Sequence, residues 1–243
     1  MSWSRQPMRR LGVWCVLVVA AVLGTGCDRG DGILDSGEKL YSQFDEEIII
    51  RHFFEDRRNG FFVDIGCGPP IKGSTTYYLE KHLGWSGIAV DALADYAPSW
   101  QKERPRSRFF SHLVTDHADS DDPFYRAKIA GLSSTQPERS IHLPGGREVT
   151  ITGEEIRVLS TTLDKLLDEN DVGEIDFLSM DIEGSEPAAL EGFDIERFRP
   201  KLVCIEAGRS TRERIRRYFE SHAYRRIEEY LQRDSVNWYF EPR

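Results

Sequence analysis

The chain has 243 residues, of which 40% are hydrophobic and 30% are charged, and its formal net charge is −9. This length and composition fit one large α/β domain with a leader in front of it. The first 27 residues hold three arginines and no acid, so the remainder has a charge of −12, which argues against nucleic acid as the main partner because phosphate contacts need a basic face.

Residues 1–27 predict a leader that associates with a membrane. Met1–Arg10 is basic, and Leu11–Leu23 is almost entirely apolar, a length that is short for a membrane span and typical of a signal peptide. Small residues before Cys27 resemble a bacterial lipoprotein signal, although the position three before the cysteine does not fit. A short uncleaved anchor and an artefactual extension are the alternatives. The flanking charges predict export of the chain after Cys27, but the side of the membrane stays open.

A Gly- and Asp-rich linker is expected over residues 28–39, and the folded domain over residues 40–243. The domain begins with a predicted helix within Leu40–Glu55, where apolar residues recur at mostly helical spacing.

The next feature is a buried strand, Phe61–Ile65, that ends in a glycine turn. Gly66 and Gly68 let the backbone turn sharply and let a ligand come close, because no Cβ is in the way. A helix is predicted over Ser74–His82, with Ser74 or Thr75 as its N-cap. A second buried strand, Gly87–Asp91, ends in an acid.

Strand, glycine turn, helix, strand and acid form the layout of a nucleoside-binding βαβ unit. The Asp91 carboxylate can accept hydrogen bonds from both hydroxyls of a ribose. Ile71 stands where a dinucleotide fingerprint has its third glycine, and Pro69 and Pro70 have no N–H to offer a pyrophosphate. The pattern therefore disfavours NAD or FAD and favours a ligand such as S-adenosylmethionine. A glycine turn used only for packing is the alternative.

A helix is then predicted over Tyr96–Glu103 and a third strand over Phe109–Val114. In a nucleoside-binding fold the end of that strand lies beside the base, so Asp116 is a candidate contact for the adenine amine; an ordinary turn residue is the alternative. The polar segment over residues 120–153 is predicted to be irregular, with one hairpin of Ser140–Leu143 and Val149–Thr152, and to form part of an acceptor site.

Acids follow the next predicted strand, Ile175–Met180, which comes after a short helix over Leu163–Glu169. Ligands of open α/β sheets bind off the carboxyl ends of strands. Asp181 and Glu183 are therefore candidate catalytic residues, able to orient a cationic sulfonium, deprotonate a hydroxyl acceptor or hold a divalent ion. Favourable interaction with a helix dipole is the alternative, and it suffices for Glu186.

The last part of the chain predicts a fifth strand that ends at Glu206, a helix from Ser210 to about His222, and an antiparallel pair of Tyr224–Leu231 with Ser235–Phe240. Strands that alternate with helices indicate a doubly wound α/β fold. The four cysteines form no disulfide framework, and without C-x-x-C or H-E-x-x-H no zinc site is expected; a divalent metal stays open.

Several stretches, in this order and spacing, resemble the FkbM-type S-adenosylmethionine-dependent methyltransferases: Tyr41-Ser42-Gln43, Phe62-Val63-Asp64-Ile65-Gly66, Gly84-Trp85-Ser86-Gly87-Ile88, Ile175-Asp176-Phe177-Leu178-Ser179-Met180-Asp181-Ile182-Glu183-Gly184 and Asn237-Trp238. The resemblance implies the Rossmann-like class I methyltransferase fold, a mostly parallel seven-stranded sheet with an antiparallel C-terminal strand. It implies a cofactor site at Asp64, Ile65, Gly66, Gly68, Asp91 and Ala92, with Asp91 on the ribose.

We therefore expect an O-methyltransferase that acts on a hydroxyl of a sugar or a small natural product. A membrane-tethered, non-catalytic binding protein that retains the fold is the alternative. The leader favours that alternative, since S-adenosylmethionine is kept in the cytoplasm, and the intact cofactor residues oppose it. The oligomeric state is not indicated.

Overall fold

The computed structural model describes residues 33–34, 39–128, 131–142 and 148–243. The predicted leader, residues 1–27, lies outside this part of the chain, as does most of the predicted linker. Within the described ranges, no helix combines the length and the apolar character that crossing a membrane requires.

The strands in chain order are β1 (Phe61–Ile65), β2 (Ser86–Asp91), β3 (Ser107–Ser111), β4 (Leu113–Val114), β5 (Asp121–Ala127), β6 (Glu138–His142), β7 (Glu148–Thr161), β8 (Phe177–Met180), β9 (Leu202–Glu206), β10 (Tyr224–Arg226) and β11 (Asn237–Pro242). The α-helices are α1 (Glu46–Phe54), α2 (Tyr77–Leu83), α3 (Ala97–Glu103), α4 (Leu163–Glu169), α5 (Glu186–Glu191), α6 (Ile195–Phe198) and α7 (Arg212–Ser221). Short 3₁₀ turns cover Ala94–Tyr96 and Glu228–Gln232.

The main sheet has seven strands in the order β10-β11-β9-β8-β1-β2-β3. β3, β2, β1, β8 and β9 run parallel, and β11 is antiparallel to both β9 and β10. The predicted doubly wound sheet with an antiparallel C-terminal strand is confirmed. Strand order reverses between β1 and β8, and ligands of such sheets bind at this switch point.

The central strands are apolar throughout because both faces of the sheet are covered. Successive side chains of β1 point to opposite faces, so Phe62 joins the core on one side, with Leu79 of α2, and Val63 the core on the other, with Leu166 of α4. In register, Ile65 of β1 lies beside Val90 of β2 and Met180 of β8. The carboxyl ends of these three strands therefore meet at one edge.

A second sheet occupies the segment that the sequence predicts to be irregular. Its order is β4-β7-β5, and β6 pairs with the far end of β7. The expected irregular loop is wrong: β5 and β7 pair from Asp121↔Leu159 to Ala127↔Gly153. The expected hairpin is confirmed as the β6–β7 pair, with Ser140 opposite Thr150. The sheet is thin and partly open to solvent, so its strands lack the continuous apolar runs that mark the main sheet.

The predicted third strand, Phe109–Val114, is divided between the two sheets. β3 ends at Ser111 beside Asp91 of β2, and the chain then leaves the main sheet at His112. Leu113 and Val114 pair with β7 instead. Both pieces are extended, so nothing local in the sequence marks the change of sheet.

Two predicted helix caps are wrong. Thr76, not Ser74 or Thr75, precedes α2, and its hydroxyl makes no cap bond because it donates to the buried Asp64. α7 begins after Thr211, not Ser210. The predicted α4 is confirmed at both ends.

Candidate active site

The glycine turn after β1 is held against both neighbouring strands. The N–H groups of Gly66 and Cys67 donate to Val90 O at 2.9 and 3.1 Å, and Asp181 N–H donates to Ile65 O at 2.9 Å. Gly66 has φ of +82°, and a Cβ there would overlap the carbonyl oxygen of Asp181. Glycine is therefore required at 66, because the backbone of Asp181, directly after β8, passes against it.

Asp91 is fixed beside this turn by two backbone donors. Gly68 N–H donates to its Oδ2 at 3.0 Å, and Leu93 N–H donates to its Oδ1 at 2.8 Å. Burial raises the pKa of Asp91, and these two hydrogen bonds oppose the rise. The side chain is half-buried, and each carboxylate oxygen keeps a lone pair for a further donor such as a ribose hydroxyl.

The other predicted cofactor residues of this edge surround the same turn. Asp64 is 3% exposed and accepts from Thr76 Oγ1 at 2.7 Å, and burial raises its pKa to about 6. Ile65 is buried, so only its backbone is available to a ligand. Ala92 is half-buried, and its carbonyl accepts from Ser111 Oγ at 3.3 Å.

A buried arginine supports the turn from below, and no motif in the sequence indicates it. Arg104 is fully buried and donates to four groups: Glu80 Oε2, Pro70 O, Ser74 Oγ and Thr76 Oγ1, at 2.8 to 3.2 Å. Trp100 Nε1 donates to Gly68 O at 2.8 Å. Because arginines are mostly exposed, sequence reasoning does not predict a buried Arg104. The one local signal is its position directly after a predicted helix and before Pro105.

Three acids meet across the switch point from the glycine turn. Asp181 follows β8, Glu206 is the last residue of β9, and Glu186 is the first residue of α5. Each offers a carboxylate oxygen, and these three oxygens lie within 4.8 Å of one another. We call Asp181, Glu186 and Glu206 the three-acid cluster.

The sequence predicted only one member of the cluster as a functional residue. It assigned Glu186 to the helix dipole and left Glu206 without a role. The available signal was the strand end at Glu206, because β9 pairs with β8 and Ile205 lies beside Met180. Glu183, the second predicted catalytic residue, is half-buried in the same loop with φ of +58° and is not one of the three clustered acids.

The carboxyl groups of the three-acid cluster lie close enough to shift one another's pKa. Glu186 is fully buried, and burial together with the charge of Glu206 raises its pKa to about 7. Asp181 is exposed to solvent, and the protein atoms packed around its carboxyl group, together with the charges of Glu206 and Glu186, raise its pKa. In the described part of the chain no lysine or arginine forms an ion pair with any of the three.

Asp116 follows β4, which is not a strand of the main sheet. It is exposed after β4, accepts from Thr115 Oγ1 at 3.1 Å, and shares a hydrogen bond with His117 Nδ1 at 2.7 Å. The basis for its predicted role, a position at the end of a main-sheet strand, is wrong because that strand ends at Ser111. Contact with the adenine stays a prediction.

The second sheet reaches both halves of the site. Its small core of Leu113, Phe124 and Val158 packs against Ala92 and Leu93, directly after Asp91. On the other side, Thr135 Oγ1 and Ser185 Oγ form a 2.8 Å hydrogen bond, so the turn before β6 touches the loop that leads into α5. The second sheet therefore borders the space between the glycine turn and the three-acid cluster.

A doubly wound, mostly parallel seven-stranded sheet with an antiparallel C-terminal strand is the class I methyltransferase fold. The family model described as "Methyltransferase FkbM domain" matches residues 64–226, more than half of the chain. The chain belongs to this family and is an S-adenosylmethionine-dependent methyltransferase. A search among curated proteins finds no match.

Solved structures of similar fold include three methyltransferases of low sequence identity. A TehB-like SAM-dependent methyltransferase from Corynebacterium glutamicum is 13% identical, with a TM-score of 0.46 and coverage of 88% of this chain and 94% of the other. Precorrin-6y C5,15-methyltransferase from Geobacter metallireducens is 10% identical, with a TM-score of 0.42 and coverage of 85% of this chain and 93% of the other. 1,6-Didemethyltoxoflavin-N1-methyltransferase from Burkholderia thailandensis, solved with S-adenosylhomocysteine, is 11% identical, with a TM-score of 0.39 and coverage of 81% of this chain and 75% of the other.

Proposed function

We propose that this methyltransferase transfers its methyl group to a hydroxyl oxygen of a small acceptor, a saccharide or a small natural product. The observation that carries the proposal is the position of Asp181. Its backbone N–H donates a hydrogen bond to Ile65 O, directly before the glycine turn, and its side chain is open to solvent. An acceptor bound next to Asp181 would therefore stand beside the methionine end of the cofactor.

A hydroxyl acceptor needs what this side of the site offers. As the new oxygen–carbon bond forms, the carbon–sulfur bond of the sulfonium breaks, S-adenosylhomocysteine leaves, and the hydroxyl proton must be removed. The raised pKa of Asp181 makes its carboxylate a stronger base than an ordinary aspartate. Glu183, in the same loop, is the alternative group for this role. Alignment of donor and acceptor would supply much of the rate.

The cofactor half of the proposal assigns one task to each element. The turn at Gly66 and Gly68 would border the methionine part, since it has no side chains to obstruct it. Asp91 would hold the ribose with the lone pairs left free by Gly68 and Leu93. The second sheet, through Thr135 and Ser185, would form the wall that selects the acceptor.

Calorimetry on the full chain, with S-adenosylhomocysteine as ligand and NAD as control, tests the cofactor half. We expect micromolar binding of the first and none of the second. Folded protein without binding would favour the non-catalytic alternative.

Transfer of a labelled methyl group tests the acceptor half. A panel of sugars that bear free hydroxyls is compared with matched amino sugars in which the hydroxyls are blocked. We expect label in base-stable ethers of the hydroxyl panel. Label only on the amines would overturn O-methylation and leave the cofactor assignment intact.

We further propose that residues 1–27 associate the protein with a membrane. The basic stretch before an apolar run supports this proposal. Cell fractionation combined with a labelled lipid precursor tests it: label on Cys27 would identify a lipoprotein, and membrane recovery without label a plain anchor. Protein found only in the soluble fraction, without label, would contradict both.

A further inference from the structure

The three-acid cluster is arranged as a ligand set for a cation. Carboxylate oxygens bound at about 2.1 Å to Mg²⁺, or at about 2.4 Å to Ca²⁺, lie roughly 3 to 4.8 Å from one another, depending on the angle between the bonds. The oxygens of Asp181, Glu186 and Glu206 fall within 4.8 Å of one another. Their spacing therefore matches that of oxygens which share one ion.

A second feature of the cluster is an unused buried oxygen. Glu186 is fully buried; its Oε1 accepts from the N–H groups of Ile182 and Gly184 at 3.1 and 3.0 Å. Its Oε2 is buried and has no hydrogen-bond partner among the described residues. A buried carboxylate oxygen without a donor or a cation is costly, and this carboxylate faces two other acids.

We propose that Asp181, Glu186 and Glu206 bind one divalent cation that prefers oxygen ligands, Mg²⁺ or Mn²⁺, and that this cation holds the acceptor hydroxyl. The set contains only oxygens, which suit Mg²⁺ and Mn²⁺ better than zinc. Asp181 is open to solvent, so positions on the ion remain for water and for the acceptor. This inference rests on the proposed O-methylation.

The cation would give the acids their chemical effect. An oxygen bound to a divalent ion loses its proton more readily. The hydroxyl proton would then pass to water, the oxygen would attack the methyl carbon, and the carbon–sulfur bond would break to release S-adenosylhomocysteine. With the ion bound, Asp181 would act on the acceptor by holding the ion that lowers the pKa of the acceptor hydroxyl, and the proton would pass to water.

The test is titration of the full chain with Mn²⁺, monitored by the electron paramagnetic resonance signal of the free ion. We expect one Mn²⁺ per chain, displaced by Mg²⁺. Glu206→Gln and Glu186→Gln should each weaken binding by at least about tenfold, since each removes a ligand charge. Glu196→Gln, the matched loss of an exposed acid on α6, should leave binding unchanged.

The amide variants also separate a cation from a proton shared between the acids. Glutamine keeps the shape and the hydrogen bonding of a protonated glutamate, so a shared proton predicts that Glu206→Gln retains methyl transfer and that the wild type binds no Mn²⁺. Either result would overturn the cation site, as would equal Mn²⁺ binding by the wild type and Glu206→Gln.

Calorimetry with S-adenosylhomocysteine on the same samples keeps the two proposals distinguishable. Cofactor binding without Mn²⁺ binding would sink only the cation site, whereas a folded wild type that binds no cofactor would sink the proposed function. Cofactor binding also reports whether each variant is folded. If Glu186→Gln fails this check, the half-buried Glu206 provides the decisive variant.

Discussion

The acids at the switch point fall into two groups that differ in how their charge is satisfied. Asp64 and Asp91, on the proposed cofactor side, accept hydrogen bonds from Thr76, Gly68 and Leu93. The three-acid cluster lies on the other side of the glycine turn, where one side chain's charge raises the pKa of the next. Each acid of the first group has a hydrogen-bond donor within the chain, whereas the three-acid cluster is the proposed site of a cation from outside it.

This difference teaches how the work of the site is divided. A cofactor shared by a whole class of enzymes can be met by a preformed, rigid pocket, since its shape never changes. The proposed acceptor side instead combines residues at the ends of β8 and β9 and at the start of α5, beside the second sheet. Variation in those elements can change the acceptor without disturbing the cofactor pocket.

The largest expected effect is on protein stability, from a substitution at Gly66, which lies between the two groups of acids. Gly66→Ala would force a Cβ into the backbone of Asp181 at a left-handed φ, so we expect a loss of more than about 4 kcal/mol in the free energy of unfolding. Gly68→Ala is the matched control: it has φ of +54° and no atom within 4 Å of an added Cβ, and should cost about 1 kcal/mol. Urea denaturation measures both, and equal losses would contradict the close approach of the two halves.

The second prediction separates catalysis from cofactor binding. Asp181→Ala should reduce methyl transfer by about a hundredfold or more, because it removes the acceptor-side carboxylate that is open to solvent. Binding of S-adenosylhomocysteine should stay within a few-fold of the wild type. Glu196→Gln serves again as the control. Loss of S-adenosylhomocysteine binding by a folded Asp181→Ala variant would overturn the assignment of Asp181 to the acceptor side.

The third prediction concerns the ribose. Asp91→Ala should weaken S-adenosylhomocysteine binding by about a hundredfold, the loss of two hydrogen bonds to a charged acceptor. Asp95→Ala removes an exposed acid in the following turn, one that pairs with Arg126, and should change the affinity little. Calorimetry compares the two. A similar affinity for both variants would exclude Asp91 as a ribose contact.

How much of this comparison the sequence reveals depends on how local each part is. The cofactor side lies within one stretch of chain, and its two apolar strands with their glycine turn are confirmed where they were predicted. The three-acid cluster depends on the pairing of β8 with β9 and on the start of α5, which no local pattern encodes. Only Asp181 was therefore identified in advance.

The remaining errors have equally physical causes. The second sheet was missed because its strands are partly exposed and lack apolar runs. The divided third strand was missed because the chain is extended on both sides of His112. Arg104 was missed because its burial depends on partners in α2 and the glycine turn, such as Glu80 and Thr76, that are distant in sequence.

The smallest expected effect tests whether a buried acid near the three-acid cluster lowers the free energy of unfolding when it becomes charged. Burial raises the pKa of Glu46, at the start of α1, from its ordinary 4.5 to about 7. The folded state thus holds this proton more tightly than the unfolded state does. The resulting stabilisation is complete below pH 4.5 and is lost as the pH rises through 7. Over the whole titration the loss is on the order of 3 kcal/mol.

Glu46→Gln removes this titration while keeping the shape of the protonated side chain. Relative to the wild type, the variant should therefore gain on the order of 2 kcal/mol in unfolding free energy between pH 5 and pH 8, a range that covers most of the titration, measured by urea denaturation. Glu196→Gln, which loses an exposed acid, should show no such change with pH. If the difference between Glu46→Gln and the wild type stayed constant across this range, Glu46 would be charged throughout. Burial near the three-acid cluster would then not keep this acid protonated in the folded state.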